Sequence, residues 1–137
     1  MLHRNEKVEL IKRAPLFAHC SRRELEQIAQ LADEIDLRDG KVMTQQGGRG
    51  REFFVLLEGA ADVNKDGQKI NELGPGDFFG EIALVSDTPR TATVVATSPI
   101  RALVVSEQSF RRLLADQPEI QNKVLAALAA RLAPETL

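Results

Sequence analysis

The apolar positions of residues 1–33 recur at helical spacing. Asn5 to Arg13 is charged and amphipathic, with Val8, Leu10 and Ile11 as its apolar residues. Pro15 ends this stretch, because the residue before a proline disfavours the helical region. The apolar connector Pro15-Leu16-Phe17 follows. Ser21 opens a second helix: Ser21 and Glu24 form a capping box, and Leu25, Ile28, Ala29 and Ala32 repeat on one face.

From Glu34 to Val105 the period shortens. Apolar or alternating runs are cut by turn signals, as in "DEIDLRDG", "KVMTQQGG", "REFFVLLEG", "AADVNKDG" and "QKINELGPGD". Asp39-Gly40 and Asp66-Gly67 are hairpin signals, and Gly59 turns the chain into "AADVNK". "TATVVAT" and "IRALVVS", bracketing Ser98-Pro99, close the series. About eight short strands at near-regular spacing predict a mainly β fold, an eight-stranded antiparallel β-roll of jelly-roll type.

After Val105 the helical period returns. Ser106 caps a helix with Phe110, Leu113 and Leu114 on its apolar face. Pro118 starts a last helix, where its missing N–H is not needed. Ile120, Val124, Leu125, Leu128 and Leu132 form its stripe, and Pro134 stops it. The expected architecture is one domain over 1–137: N-terminal helices in 1–33, the roll in 34–105, and C-terminal helices in 106–133.

Composition narrows the function. The chain has 137 residues, 43% apolar and 28% charged, with a formal net charge of -2. That balance offers no broad cationic surface for a nucleic-acid backbone. Trp and Tyr are absent, so the stacking platforms of a single-strand reader reduce to six Phe, most of them in apolar runs. The single cysteine, Cys20, excludes an intramolecular disulfide. The N-terminus lacks a signal-peptide core, and no apolar run approaches the ~20 residues of a membrane span. A soluble cytoplasmic protein without a membrane partner is the expectation. His3 and His19 both lie in the N-terminal region. With no His in any expected strand, a metal-binding β-barrel enzyme is disfavoured and no metal site is expected. Cys20 precedes the Ser21 cap and packs toward Leu25, with no His/Asp partner at nucleophile spacing. Arg22-Arg23 and Arg111-Arg112 read as solvated helix faces.

The chemistry concentrates in "FFGEIALVSDTPRTATV", residues 78–94. "GEIALV" reads as one helical turn between sharp breaks at Gly74-Pro75-Gly76 and Asp87-Thr88-Pro89. The first turn of such a helix offers backbone N–H groups and a dipole that favour an anion. Gly80 permits close approach to the backbone. Arg90 can hold a phosphate by two parallel charge-assisted hydrogen bonds. Thr91 and Ala92 are small enough for their N–H groups to reach the same anion. A carboxylate at Glu81 repels phosphate, so its natural partner is a ribose 2′-hydroxyl, as in dinucleotide folds. Singly, Arg90 is a surface charge and Glu81 a helix N-terminal acid; together they predict a phosphorylated-sugar site.

Phe79 to Leu84 and Pro89 to Thr93 resemble the phosphate-binding cassette of the cyclic nucleotide-binding domain family, F-G-E-[IL]-A-L followed by P-R-x-A-[TV]. "LLEGAADV" and "LGPGDFFGE" resemble the segments leading into that cassette, here 78–93. The resemblance implies cAMP, with cGMP as a competitor, as the ligand, and no other cofactor. It implies Arg90 on the cyclic phosphate, Glu81 on the 2′-hydroxyl, and Gly80 and Ala83 as backbone contacts, with Ile82, Thr91 and Ala92 completing the cassette. A hydroxyl at Thr91 can reach the 2-amino group of a syn guanine. Val63 and Ile70 stand where the family walls the base. The final helix, through Arg131 or Leu132, is the implied lid. The transcription-factor branch of the family continues into a helix-turn-helix. Here Pro134 ends the last helix, so direct nucleic-acid binding is not expected. The sequence identifies neither the regulated partner nor the oligomeric state. The expected activity is non-catalytic regulation by moving the C-terminal helices. The alternative is a ligand-free protein-interaction domain on the same roll.

Overall fold

The computed structural model describes residues 2–87 and 89–132, the side chains of Arg131 and Leu132 excepted. Thr88, the two lid side chains and the expected stop at Pro134 thus lie outside the described residues.

The helices follow their local signals. Helix α1 (Arg4–Ile11) buries Val8 and Ile11, and the connector Pro15–Phe17 winds into a 3₁₀ turn that buries Leu16 and Phe17. Helix α2 (Arg22–Ala29) begins at the expected box: Ser21 Oγ accepts from the Glu24 N–H at 3.2 Å, and a Glu24 carboxylate oxygen accepts from the Ser21 N–H at 2.8 Å. Helix α3 (Glu107–Asp116) starts with Ser106 Oγ accepting from the Ser109 N–H, and helix α4 (Pro118–Leu132) starts on the proline. The α4 stripe needs one correction. Its buried residues are Ile120, Val124 and Ala127, whereas Leu125 is 56% exposed. Leu125 follows Val124 directly and is turned ~100° from it, off the face that Ile120, Val124 and Ala127 bury.

The strands are β1 (Asp33–Leu37), β2 (Val42–Thr44), β3 (Glu52–Glu58), β4 (Ala61–Lys65), β5 (Gln68–Leu73), β6 (Phe78–Phe79), β7 (Thr93–Ala96) and β8 (Ile100–Ser106). They form two four-stranded sheets, ordered β1-β8-β3-β6 and β2-β7-β4-β5. Every strand pair is antiparallel, which is the expected β-roll with flanking helices. The sequence pattern had not separated β6 from the cassette.

The chain changes sheet at every connection except β4 to β5. There Lys65 pairs with Gln68, and Asp66 and Gly67, at φ +54° and +81°, make the hairpin turn that the sequence predicts, with type I′ geometry. Asp39-Gly40 is a turn but not a hairpin, since β1 pairs with β8 and β2 with β7. Gly59 likewise carries the chain from one sheet to the other. In both cases the choice of partner is made by strands far along the chain, which a local turn signal does not encode.

Two apolar clusters result. One lies between the first sheet and the helices, where Phe17 meets Phe53 and Phe110 edge-on at centroid distances of 5.9 and 5.7 Å. The other fills the space between the sheets with Leu56, Ala61, Val94, Ala96, Ile100 and Ala102. Leu84, fully buried in the first cluster, ties the predicted cassette to the helical layer.

One ion pair joins the two helical ends. Lys123 Nζ on α4 donates to a Glu24 carboxylate oxygen on α2 at 2.5 Å. Burial pushes the Glu24 carboxyl up, but hydrogen bonds from Lys123 and Ser21 outweigh it and hold its pKa below the ordinary 4.5. A depressed folded pKa contributes stability above the unfolded value, and this is lost as pH falls through the folded one. Glu24→Gln is therefore expected to lower the melting temperature at neutral pH, with the deficit shrinking as pH drops below 4.5. Thermal melts of both proteins between pH 3 and 8 check this; a deficit independent of pH contradicts it.

Candidate functional site

The expected site lies in the crossover from β6 to β7. Gly80, at φ +87°, turns the chain out of β6 into a four-residue 3₁₀ turn, Glu81–Leu84. A side chain there is strained, which explains a glycine before the turn. The turn is fixed from below: Ala83 and Leu84 are buried, and the Ala83 N–H donates to Gly80 O at 3.1 Å. Ile82 remains half-buried.

Arg90 is held first by its backbone. Its N–H donates to Gly48 O and its carbonyl accepts from the Gly47 N–H, both at 2.8 Å. Its side chain then runs between two glycines. A Cβ on Gly50 would overlap Arg90 Nε, and a Cβ on Gly80 would overlap Arg90 Nη1 and sit 2.6 Å from Glu52 O. Arg90 Nη2 donates to that same Glu52 carbonyl at 2.6 Å. Arg90 Nε is buried without a hydrogen-bond partner, the one such side-chain atom among the described residues.

This arrangement leaves the guanidinium electrostatically under-served. Burial pushes it below the ordinary arginine pKa, while the carboxylates of Glu52 and Glu81 act in the opposite sense. An arginine remains charged at any accessible pH, so the cost of burial is met by attracting anionic or acceptor groups. The guanidinium borders a cavity of about 220 Å³, walled by Val42, Met43 and Thr44 of β2, by Arg49 and Gly50 of the adjoining loop, and by Glu52 at the start of β3.

The structure thus brings Arg90, Gly80 and Glu81 together, with Glu81 acting on Arg90 through its charge and not as a wall of that cavity. Thr91 is exposed, and Ala92 is half-buried with its carbonyl accepting from Thr44 Oγ1 at 3.4 Å. Val63 and Ile70 share the β4–β5 hairpin, apart from the described contacts of Arg90. Val63 packs on the inter-sheet cluster, and Ile70 is 58% exposed beside the irregularity between Val63 and Asn64.

The sequence reading missed Gly50 and the Glu52 carbonyl. The available signal was the density of glycine in "QQGGRGRE", which here marks backbone approaching a side chain.

Other reactive candidates are quiet. Burial, then the Glu24 charge, raises the Cys20 thiol to about 11, leaving it unreactive near neutrality. His19 is exposed. Arg22 pairs with Glu9 and Glu26, and Arg111 with Glu107 and Asp87. Among the described residues, no three His, Cys, Asp or Glu side chains gather to hold a metal ion, and no helix is long and apolar enough to cross a membrane.

Residues 34–117, spanning the whole roll and the cassette, match the cyclic nucleotide-binding domain family. The chain belongs to that family. This cyclic nucleotide-binding domain is 37% identical over 134 residues to the cAMP-dependent protein kinase regulatory subunit of Mycosarcoma maydis, covering 89% of this chain and 23% of that protein. The domain therefore spans about a quarter of its curated relative. Among solved structures it resembles the N-terminal domain of a transcriptional regulator from Streptomyces coelicolor A3(2), with TM-score 0.80, 26% identity and coverage of 93% and 94%. It also resembles the cAMP-bound PfPKA-R (141-441), with TM-score 0.66, 26% identity and coverage of 98% and 48%.

Gly50→Ala tests how the domain seats its arginine. The added methyl must displace the guanidinium, so the Arg90 Nε–Hε resonance is expected to shift in a ¹⁵N-correlated NMR spectrum. An unmoved resonance in a folded variant contradicts the packing described.

Proposed function

We propose that this domain binds a cyclic nucleotide, cAMP in preference and cGMP as a competitor, and regulates a partner protein or domain by moving its C-terminal helices. The observation that carries the reading is the half-buried guanidinium of Arg90, with a buried unpartnered Nε, set among Gly50, Gly80 and Glu81. A cyclic phosphate is a compact monoanion that satisfies such a group without bringing a dianion toward Glu81. In this reading Arg90 takes the phosphate and Glu81 accepts from the 2′-hydroxyl. Gly80, Ile82, Ala83 and Ala92 line the sugar and phosphate, Thr91 meets the base edge of cGMP, and Val63 and the exposed Ile70 face the base. The cAMP carried by a structural relative at 26% identity supports the choice of ligand.

The route to an output runs through the cassette. Leu84 and Val85 of the cassette, Leu114 of α3, and Val124 and Leu125 of α4 border one apolar cavity of about 330 Å³. A shift of the 3₁₀ turn on binding changes what α3 and α4 pack against, and the ligand biases the helices by its preference for one packing. The same reading makes residues 1–137 one non-catalytic regulatory unit of a cytoplasmic protein.

Calorimetry with cAMP and cGMP on the wild type and Arg90→Ala is the test. Loss of Arg90 is expected to cost roughly 2–5 kcal/mol of binding, as when one partner of a desolvated charge pair is removed. Thr91→Ala is expected to weaken cGMP more than cAMP. Equal affinities for wild type and Arg90→Ala remove the phosphate role, and no binding to the wild type leaves the ligand-free interaction domain as the reading.

A further inference from the structure

Gln46 sits in the loop between β2 and β3, outside the cassette. Its N–H donates to Thr93 Oγ1 at 2.9 Å. Its side-chain amide makes a two-way clip to the tip of the β4–β5 hairpin: Nε2 donates to Asp66 Oδ1 at 2.8 Å, and Oε1 accepts from the Asp66 N–H at 2.9 Å. Asp66 holds a left-handed conformation, φ +54°, which aims its N–H and carboxylate at the loop.

The next residues are those that seat Arg90. Gly47 and Gly48 make its two backbone hydrogen bonds, Gly50 lies against its guanidinium, and Glu52 O accepts from Nη2. Glycines at 47, 48 and 50 give this loop large conformational freedom and supply no side chain to order it. Gln45, Arg49 and Arg51 are exposed. Among the described residues, Gln46 carries the loop's one side chain hydrogen-bonded to another element. Alongside the backbone hydrogen bonds to Arg90 and Thr93, this clip ties the Gly-rich cradle to the rest of the fold.

We propose that Gln46 is a positioning residue for Arg90, fixing the phosphate-facing loop to the hairpin that carries Val63 and Ile70. This rests on the reading of the site as a cyclic-nucleotide pocket. The clip makes the spacing between the phosphate end and the base end a fixed length. An amide is required because it presents a donor and an acceptor side by side. Glutamate loses the donor and sets a carboxylate against Asp66. Asp66→Asn keeps both bonds, since its side-chain oxygen still accepts, its N–H still donates, and Asn tolerates positive φ.

The test compares wild type, Gln46→Ala, Gln46→Glu and Asp66→Asn by calorimetry with cAMP and with adenosine, which has base and ribose but no phosphate. Both Gln46 variants are expected to lose about tenfold in cAMP affinity, the scale of one or two net hydrogen bonds. Adenosine binding and the melting temperature of the ligand-free protein stay near wild type, and Asp66→Asn keeps its cAMP affinity. Unchanged cAMP affinity in the Gln46 variants overturns the proposal, as does an equal loss for cAMP and adenosine. The Arg90 Nε–Hε resonance of the ligand-free protein supplies a readout independent of ligand. If the wild type fails to bind cAMP, the function reading fails, yet a resonance that moves in Gln46→Ala still supports the positioning role and an unmoved one overturns it.

Discussion

Arg90 places a permanent charge half inside the protein, and the surrounding structure is arranged around that fact. Its guanidinium has a fixed fork of donors, of which Nη2 is occupied by the Glu52 carbonyl and Nε is buried without a partner. Ordinary side chains cannot be packed so close to it. Two backbone segments without a Cβ, at Gly50 and Gly80, make the room. The same two glycines bring the cassette and the β2–β3 loop against one charge, so the site is defined by where backbone can approach a cation.

The roll supplies that approach because its chain keeps changing sheets. The cassette is a crossover from β6 to β7, and the loop facing it is a crossover from β2 to β3. Crossovers at one end of a two-sheet roll lie side by side without being neighbours in sequence. Leu84 then anchors the cassette in the helical cluster, so the cassette and the α3–α4 layer share a wall. In the proposed reading, binding at Arg90 and a change in helix packing are adjacent steps through one 3₁₀ turn. The Glu24–Lys123 pair ties α4 to α2, so any motion of α4 that separates them breaks a charge-assisted hydrogen bond.

Local chemistry made much of this legible. Ser21 and Glu24, Ser106 and Pro118 specify helix starts by the hydrogen bonds they make or omit, and Asp66-Gly67 specifies a type I′ turn by its positive φ values. Those are nearest-neighbour properties. Asp39-Gly40 carried the same signal and yet joins two sheets, because pairing with β8 and β7 depends on burial partners 50 to 71 residues away, from Thr44↔Val94 to Asp33↔Val104. Leu125 was misassigned because an apolar residue beside a buried one satisfies a hydropathy pattern without fitting the helical angle, and Ala127 was small enough to be overlooked. The cassette was readable from its own residues and its family resemblance. The loop that seats Arg90 was not, since glycine announces flexibility or close approach but not what approaches, and Gln46 has no sequence signal distinguishing a clip from a solvated amide.

The central claim is that Arg90 receives the cyclic phosphate while Glu81 receives the ribose. A crystal structure of the domain with cAMP tests it most directly. The account predicts phosphate oxygens at about 2.7–2.9 Å from Arg90 guanidinium nitrogens, with the 2′-hydroxyl on Glu81 and the sugar against Gly80. A nucleotide bound elsewhere, or one whose phosphate leaves Arg90 bonded only to the Glu52 carbonyl, contradicts it.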